Sequence, residues 1–153
     1  MNKARLAIGG LALSASAFVS LALHEGYRSK AYDDGVGVQT IGFGTTEGVT
    51  PGQTITVEKA LVRALADVSK FEGAIKQCVV VPLHQHEYDA FSLLAYNIGP
   101  AAFCNSTLVR KLNAEDYAGA CAEISRWNRA GGSVLAGLTK RREAERAQCE
   151  GRG

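Results

Sequence analysis

The chain has no CxxC pair, no cysteine before Cys78, no internal repeat and no low-complexity tract. Without CxxC pairs or His/Cys clusters at zinc-ligand spacing, a structural metal is not expected. His84 and His86 alternate like ligands, but no third ligand accompanies them, so they read as solvent-exposed residues at a helix start. Gly42-Phe43-Gly44 with Gly48 imitates a nucleotide loop, yet the third glycine comes one place late and no βαβ unit surrounds it. A strong charge bias is also missing. The formal net charge of +2 does not by itself identify a nucleic-acid binder. With 46% hydrophobic and 21% charged residues, disorder is excluded, and 153 residues support one domain with a real core, in one or two lobes.

Charge is absent from Leu6 to Leu23, a stretch of 18 residues preceded by Lys3 and Arg5. That is the short end of what spans a bilayer as a helix, and the basic flank predicts a cytoplasmic N-terminus with the rest of the chain outside. Ala15-Ser16-Ala17 and Ser20-Leu21-Ala22 keep a cleaved signal peptide open as the alternative. Ten of the 18 residues are Ala, Gly or Ser, so the segment is only moderately hydrophobic, and a helix of this kind can leave a membrane.

The cysteines present are Cys78, Cys104, Cys121 and Cys149. An even count in an exported chain reads as two disulfides with three possible connectivities, or else as four buried thiols. Cys78–Cys104 and Cys121–Cys149 are favoured because each would tie consecutive helical elements.

Helix signals organise the remainder. Thr56 can cap a helix with Glu58 in its first turn and Leu61, Leu65, Val68, Phe71 and Ile75 along one face. Gln85 to Ile98 reads as helical, closed by Gly99 and Pro100. Ser106 caps Thr107–Leu112. Glu115 to Asn128 and Leu138 to Cys149 supply the last two helices. Trp127 reads as core, and Lys140-Arg141-Arg142 with Arg146 as a solvated basic face.

Chemistry concentrates in His24-Glu25-Gly26 through Thr40-Ile41-Gly42-Phe43-Gly44. Glu25 ends a helical stretch, Asp34-Gly35 marks a hairpin turn, and Thr40 follows on the returning strand. Singly, each has a bland reading as a solvated glutamate, a turn residue or a strand residue. Together they equip a site for splitting a glycosidic bond, with one carboxyl to protonate the leaving oxygen and a polar pair to manage a water opposite.

The nine residues from Glu25 to Asp34 and six more to Thr40, with Lys30 before Tyr32 and Thr40-Ile41-Gly42-Phe43-Gly44, resemble the phage-type lysozymes of glycoside hydrolase family 24. Similarity continues through Pro82-Leu83, Tyr96-Asn97-Ile98-Gly99, Ser106-Thr107-Leu108, Arg126-Trp127 and Gly137-Leu138 to Arg141-Arg142-Glu143. Thr45 departs from the pattern, since many relatives carry histidine there.

The resemblance implies an α+β lysozyme-like fold: a small lobe with a β-hairpin, a larger helical lobe, a long joining helix, and a glycan cleft between the lobes. It implies hydrolysis of the β-1,4 bond between N-acetylmuramic acid and N-acetylglucosamine in peptidoglycan, with Glu25, Asp34 and Thr40 catalytic and no cofactor. Glu25 as general acid requires a pKa raised toward about 6 by partial burial. Tyr96 and Ser106 match positions that line the glycan cleft.

Residues 1–23 look like the signal-anchor-release segment of one endolysin subgroup, leaving 24–153 as the catalytic domain. The expected partners are glycan strands and, before release to the periplasm, the host inner membrane; a monomer without nucleic acid is expected. A lytic transglycosylase cutting the same bond and a non-catalytic membrane-tethered wall-binding protein are the competing readings.

Overall fold

The computed structural model describes residues 3–153, so the first two residues of the expected 1–23 segment lie outside it. The chain forms two compact units: Ala15–Lys70, and Phe71–Gly153 together with the residues up to Ser14.

The first unit is built around α1 (Ala15–Glu25), β1 (Arg28–Asp33), β2 (Gln39–Gly42) and the first part of α2 (Val57–Cys78). β1 and β2 are antiparallel, with Tyr32 opposite Thr40 and Asp33 opposite Gln39. Residues 53–55 extend the pairing along β1: the Ala31 amide donates to the Gln53 carbonyl at 2.8 Å, and the Ile55 amide to the Ser29 carbonyl at 2.9 Å. Phe43, Ala60 and Ala64 form the centre, with Phe18, Ala22, Ile55 and Leu61 packed around them. As expected, Thr56 caps α2 through its hydroxyl, which accepts from the Lys59 amide.

The buried face of α2 differs from the sequence expectation. Ala60, Ala64, Val68 and Ile75 are buried, whereas Leu65 is 54% exposed. Successive helical residues rotate by 100°, so Leu65 lies one step off the Ala60–Ala64–Val68 row, and the small alanines let neighbouring backbone approach closely.

The second unit is helical. Besides the end of α2 it contains α3 (Gln85–Ile98), α4 (Pro100–Cys104), α5 (Thr107–Asn113), α6 (Tyr117–Glu123) and α7 (Ala136–Cys149). Tyr88, Phe91, Leu94, Phe103, Leu108, Leu112 and Ile124 lie at its core, with Trp127 against them. α3 has the predicted bounds, because Gly99 can adopt φ +96 and Pro100 begins a new helix. The expected Glu115–Asn128 helix is shorter. Asp116 caps it, accepting from the Gly119 amide at 2.9 Å, and it ends in a tight turn at Ile124–Arg126. A hairpin then follows, β3 (Arg129–Ala130) with β4 (Ser133–Val134), turning on Gly131-Gly132.

Disulfides join Cys78 to Cys104 and Cys121 to Cys149, each with a Cα–Cα distance of 5.6 Å.

The basic run on α7 is not one solvated face. Arg142 is 1% exposed and donates to Glu145 at 2.6 Å and to the Asn97 side chain, while Arg141 donates to the other Glu145 oxygen at 3.1 Å. Glu145 lies three residues from Arg142 and four from Arg141, so one helix face gathers all three groups and can bury them paired. Burial pushes the Glu145 carboxyl upward while the two guanidiniums pull it back. His84 and His86 are half-buried rather than exposed. Their rings stack at 5.3 Å, and His86 Nδ1 lies 3.1 Å from the carbonyls of Gln148 and Cys149.

Candidate active site

Glu25, Asp34 and Thr40 all belong to the first unit. Glu25 is the last residue of α1, which is fixed by buried Ala17 and Leu21 and by Phe18 and Ala22 against the Phe43 cluster. Gly26 follows at φ +70 and lets the chain turn directly into β1. Glu25 is half-buried.

Asp34 lies in the exposed turn between β1 and β2. Its Oδ1 accepts from the amides of Val36 at 3.0 Å and Val38 at 3.2 Å, and the Asp34 amide donates to the Val38 carbonyl. The preceding Asp33 does the same for Gly35 and Gly37. Two aspartates thereby spend one oxygen each on organising the turn, which leaves the second Asp34 oxygen outside that task. Thr40 is 5% exposed, and its hydroxyl donates to the Val38 carbonyl at 3.4 Å, a long and weak bond.

The turn after β2 brings Gly44 back against Glu25. Ile41 and Thr45 exchange backbone bonds at 2.9 and 3.1 Å, closing a loop over Gly42-Phe43-Gly44. Gly44 has φ +89, and a Cβ placed on it would stand 3.0 Å from Glu25 Oε2 and 3.5 Å from Glu25 Cδ. The Glu25 carboxyl therefore packs directly on the Gly44 backbone. Gly42 is tight in another direction, since a Cβ there would meet Ala60 Cβ at 2.9 Å. Both Glu25 and the Gly-Phe-Gly run are marked in the sequence; their contact across 19 residues is not.

Thr45 is buried, and its hydroxyl donates to Asp67 on α2 at 2.6 Å. Farther along the loop, the Glu47 carbonyl accepts from Arg63 and its carboxylate pairs with Lys70. The Lys70 ammonium holds the Glu47 carboxyl below its ordinary range. Three contacts to α2 thus tie down the loop that faces Glu25.

Tyr96 and Ser106 lie in the second unit. The Tyr96 ring is half-buried and stands 5.2 Å from that of Phe71. Ser106 is buried; its hydroxyl donates to the Phe103 carbonyl at 2.6 Å and accepts from the Val109 amide at 3.2 Å, the geometry of a helix cap.

The sequence pattern of the phage lysozyme family matches residues 22–145. An endolysin of Acyrthosiphon pisum secondary endosymbiont phage 1 is 39% identical over 142 residues, covering 90% of this chain and 97% of its own length. A SAR-endolysin of Pseudomonas phage phiKMV is 35% identical over 153 residues, covering 97% and 92%. The solved endolysin from Escherichia coli O157:H7 phage FAHEc1 superposes with a TM-score of 0.81 at 35% identity, over 92% of this chain and 94% of its own. With its sequence pattern, relatives and fold in agreement over most of its length, this chain belongs to the phage lysozyme family.

Proposed function

We propose that Glu25 is the general acid of this lysozyme and that Asp34 and Thr40 hold the attacking water. As a phage lysozyme the chain is a glycoside hydrolase of the endolysin type, acting on peptidoglycan. The bond cut is the β-1,4 link from N-acetylmuramic acid to N-acetylglucosamine. The observation that carries the assignment is the packing of the Glu25 carboxyl on Gly44, at the foot of the hairpin that bears Asp34 and Thr40. In the reaction, the Glu25 proton passes to the glycosidic oxygen as its bond to the sugar carbon breaks. Water attacks that carbon from the opposite face and loses a proton toward Asp34. Configuration at the carbon is inverted, a mechanism that places the two carboxyls about 6.5–9.5 Å apart. No cofactor takes part in this scheme.

Residues 1–23 are proposed to hold the enzyme at the host inner membrane facing the periplasm before its release as a monomer. The reading is supported by the composition of the segment and by its likeness to the SAR-endolysin of phage phiKMV. Among the described residues no helix is long and apolar enough to cross a membrane. Leu6–Leu23 instead contains a single turn at Ile8–Gly10 and part of α1.

Glu25→Gln is the test of the acid. Purified variant should digest isolated sacculi at less than about a hundredth of the wild-type rate, within the range general acid catalysis contributes, with unchanged circular dichroism. A tenth of the rate retained would move the acid elsewhere. Fresh wild-type product should carry the inverted anomer; a retained anomer or a 1,6-anhydro end would overturn the water-holding roles.

A further inference from the structure

Tyr27 stands two residues after Glu25, with Gly26 turning the chain between them at φ +70. Its ring centre lies 5.5 Å from that of Phe43 at an interplanar angle of 42°, within the range of favourable aromatic pairs. Its hydroxyl donates to the Ile55 carbonyl at 2.7 Å. Ile55 is itself held, since its amide donates to the Ser29 carbonyl on β1 at 2.9 Å and its side chain packs on the Phe43 cluster. The Tyr27 ring is thus held by the chain at one end, by its hydroxyl at the other, and against Phe43 in between.

Phe43 is buried with Ala60 and Ala64 at the centre of the first unit, and Gly42 before it leaves no room for a Cβ against Ala60. The residue after it, Gly44, is the one on whose backbone the Glu25 carboxyl packs. These contacts close a circuit inside one unit. It runs from Glu25 along the chain to Tyr27, across the ring pair to Phe43, on to Gly44, and back to the Glu25 carboxyl. Tyr27 is exposed and Phe43 is not, so the tyrosine covers the phenylalanine on its solvent side. Close packing passes a displacement on rather than absorbing it, so a shift of Phe43 reaches Gly44.

We propose that Tyr27 is a positioning residue for Glu25: by holding Phe43 it holds Gly44, and so fixes where the Glu25 carboxyl sits when it gives up its proton. The proposal rests on Glu25 being the general acid. Tyr27 takes no proton and touches no reacting atom in this role, because its hydroxyl is spent on the Ile55 carbonyl. Its effect comes through geometry. A catalytic group moved by about 1 Å can lose about a hundredfold in rate, so a ring that keeps the seat of the carboxyl from shifting contributes to turnover rather than to substrate binding.

The test assays purified full-length protein on soluble glycan strands, so that kcat and KM separate, with circular dichroism as the check on folding. The variants are Tyr27→Phe, Tyr27→Leu, Gly44→Ala, and Tyr27→Leu combined with Gly44→Ala. Tyr27→Leu loses both ring pair and hydroxyl and should lower kcat about tenfold while KM stays within about twofold of wild type. Tyr27→Phe keeps the ring pair and should recover much of that rate, ending about threefold below wild type as loss of one hydrogen bond implies. Tyr27→Leu and Gly44→Ala disturb the same seat, so together they should cost far less than the product of their separate effects. Unchanged kcat in Tyr27→Leu, or an effect carried wholly by KM, would refute the positioning role. Independent, multiplying effects in the combined variant would refute its route through Gly44. Should Tyr27→Leu not fold, Tyr27→Phe decides alone, and a kcat equal to wild type overturns the proposal. Glu25→Gln assayed alongside keeps the two failures apart. Activity retained there sinks the acid assignment, whereas its loss together with an unaffected Tyr27→Leu sinks only the role of Tyr27.

Discussion

Thr45 donates its buried hydroxyl to the Asp67 carboxylate at 2.6 Å, joining the loop after the hairpin to α2. A neutral hydroxyl thus anchors the loop to a carboxylate on α2. Thr45→Val keeps the shape and leaves the Asp67 carboxylate without this donor. It should cost about 1–3 kcal/mol, the usual penalty for orphaning a partly buried acceptor. Urea unfolding should show the loss as a lower midpoint at unchanged slope. Activity on sacculi should fall as well, since the anchored loop faces Glu25.

Gly44 separates two effects that usually travel together. Gly44→Ala places a methyl 3.0 Å from the Glu25 carboxylate at a positive φ, whereas Gly48→Ala, at φ +68, meets nothing within 4 Å. Both should lose about 1 kcal/mol of stability from backbone strain. Only Gly44→Ala should lower kcat substantially. Equal kcat values in the two variants would show that the Glu25 carboxyl yields without consequence.

Acid stability should depend on Glu123. Its hydrogen bond from Lys111 at 2.8 Å, assisted by Arg126, holds the carboxyl below its ordinary value of 4.5. A carboxyl depressed by folding contributes stability that is complete above its unfolded pKa and is lost as pH falls through the lower folded value. Glu123→Gln should therefore lose at most about 1 kcal/mol near neutrality, because Lys111 is partly solvated. The difference from wild type should close as pH falls through that lower folded value, where both come to carry a neutral side chain. Parallel thermal melts from pH 3 to about 7 follow that convergence.

The disulfides close loops with sequence separations of 26 and 28 residues. Each should contribute roughly 3–4 kcal/mol by restricting the unfolded chain. Replacing Cys121 and Cys149 together by serine should lower Tm by several degrees or more and leave Glu25 chemistry intact below the melt. Non-reduced peptide maps should contain only the two pairings.

The sequence by itself determined whatever depends on neighbours along the chain. Asp34-Gly35 specified a turn because aspartate can accept from amides two residues ahead and glycine tolerates positive φ. Gly99-Pro100 ended α3, and Ser106 began α5, for equally local reasons. The proposed set of Glu25, Asp34 and Thr40 could be picked out as candidates because they fall within one short run whose spacing resembles that of the phage-type lysozymes.

Tertiary structure decided the rest, wherever a residue's role came from a partner far along the chain. Arg142 looked like surface charge until Glu145 and Asn97 paired it inside the helical unit. Leu65 looked like core until Ala60 and Ala64 took the packed side of α2. The apolar run Leu6–Leu23 looked like one helix; Leu83, Gln85, Glu72 and Asp89 drew its first part into an irregular course by offering bonds that a helix would otherwise keep for itself. Gly44 needed Glu25 beside it to mean more than a turn. Periodicity and capping report the energy of a chain with its own neighbours, whereas burial and pairing follow from contacts that exist only after the chain has closed on itself.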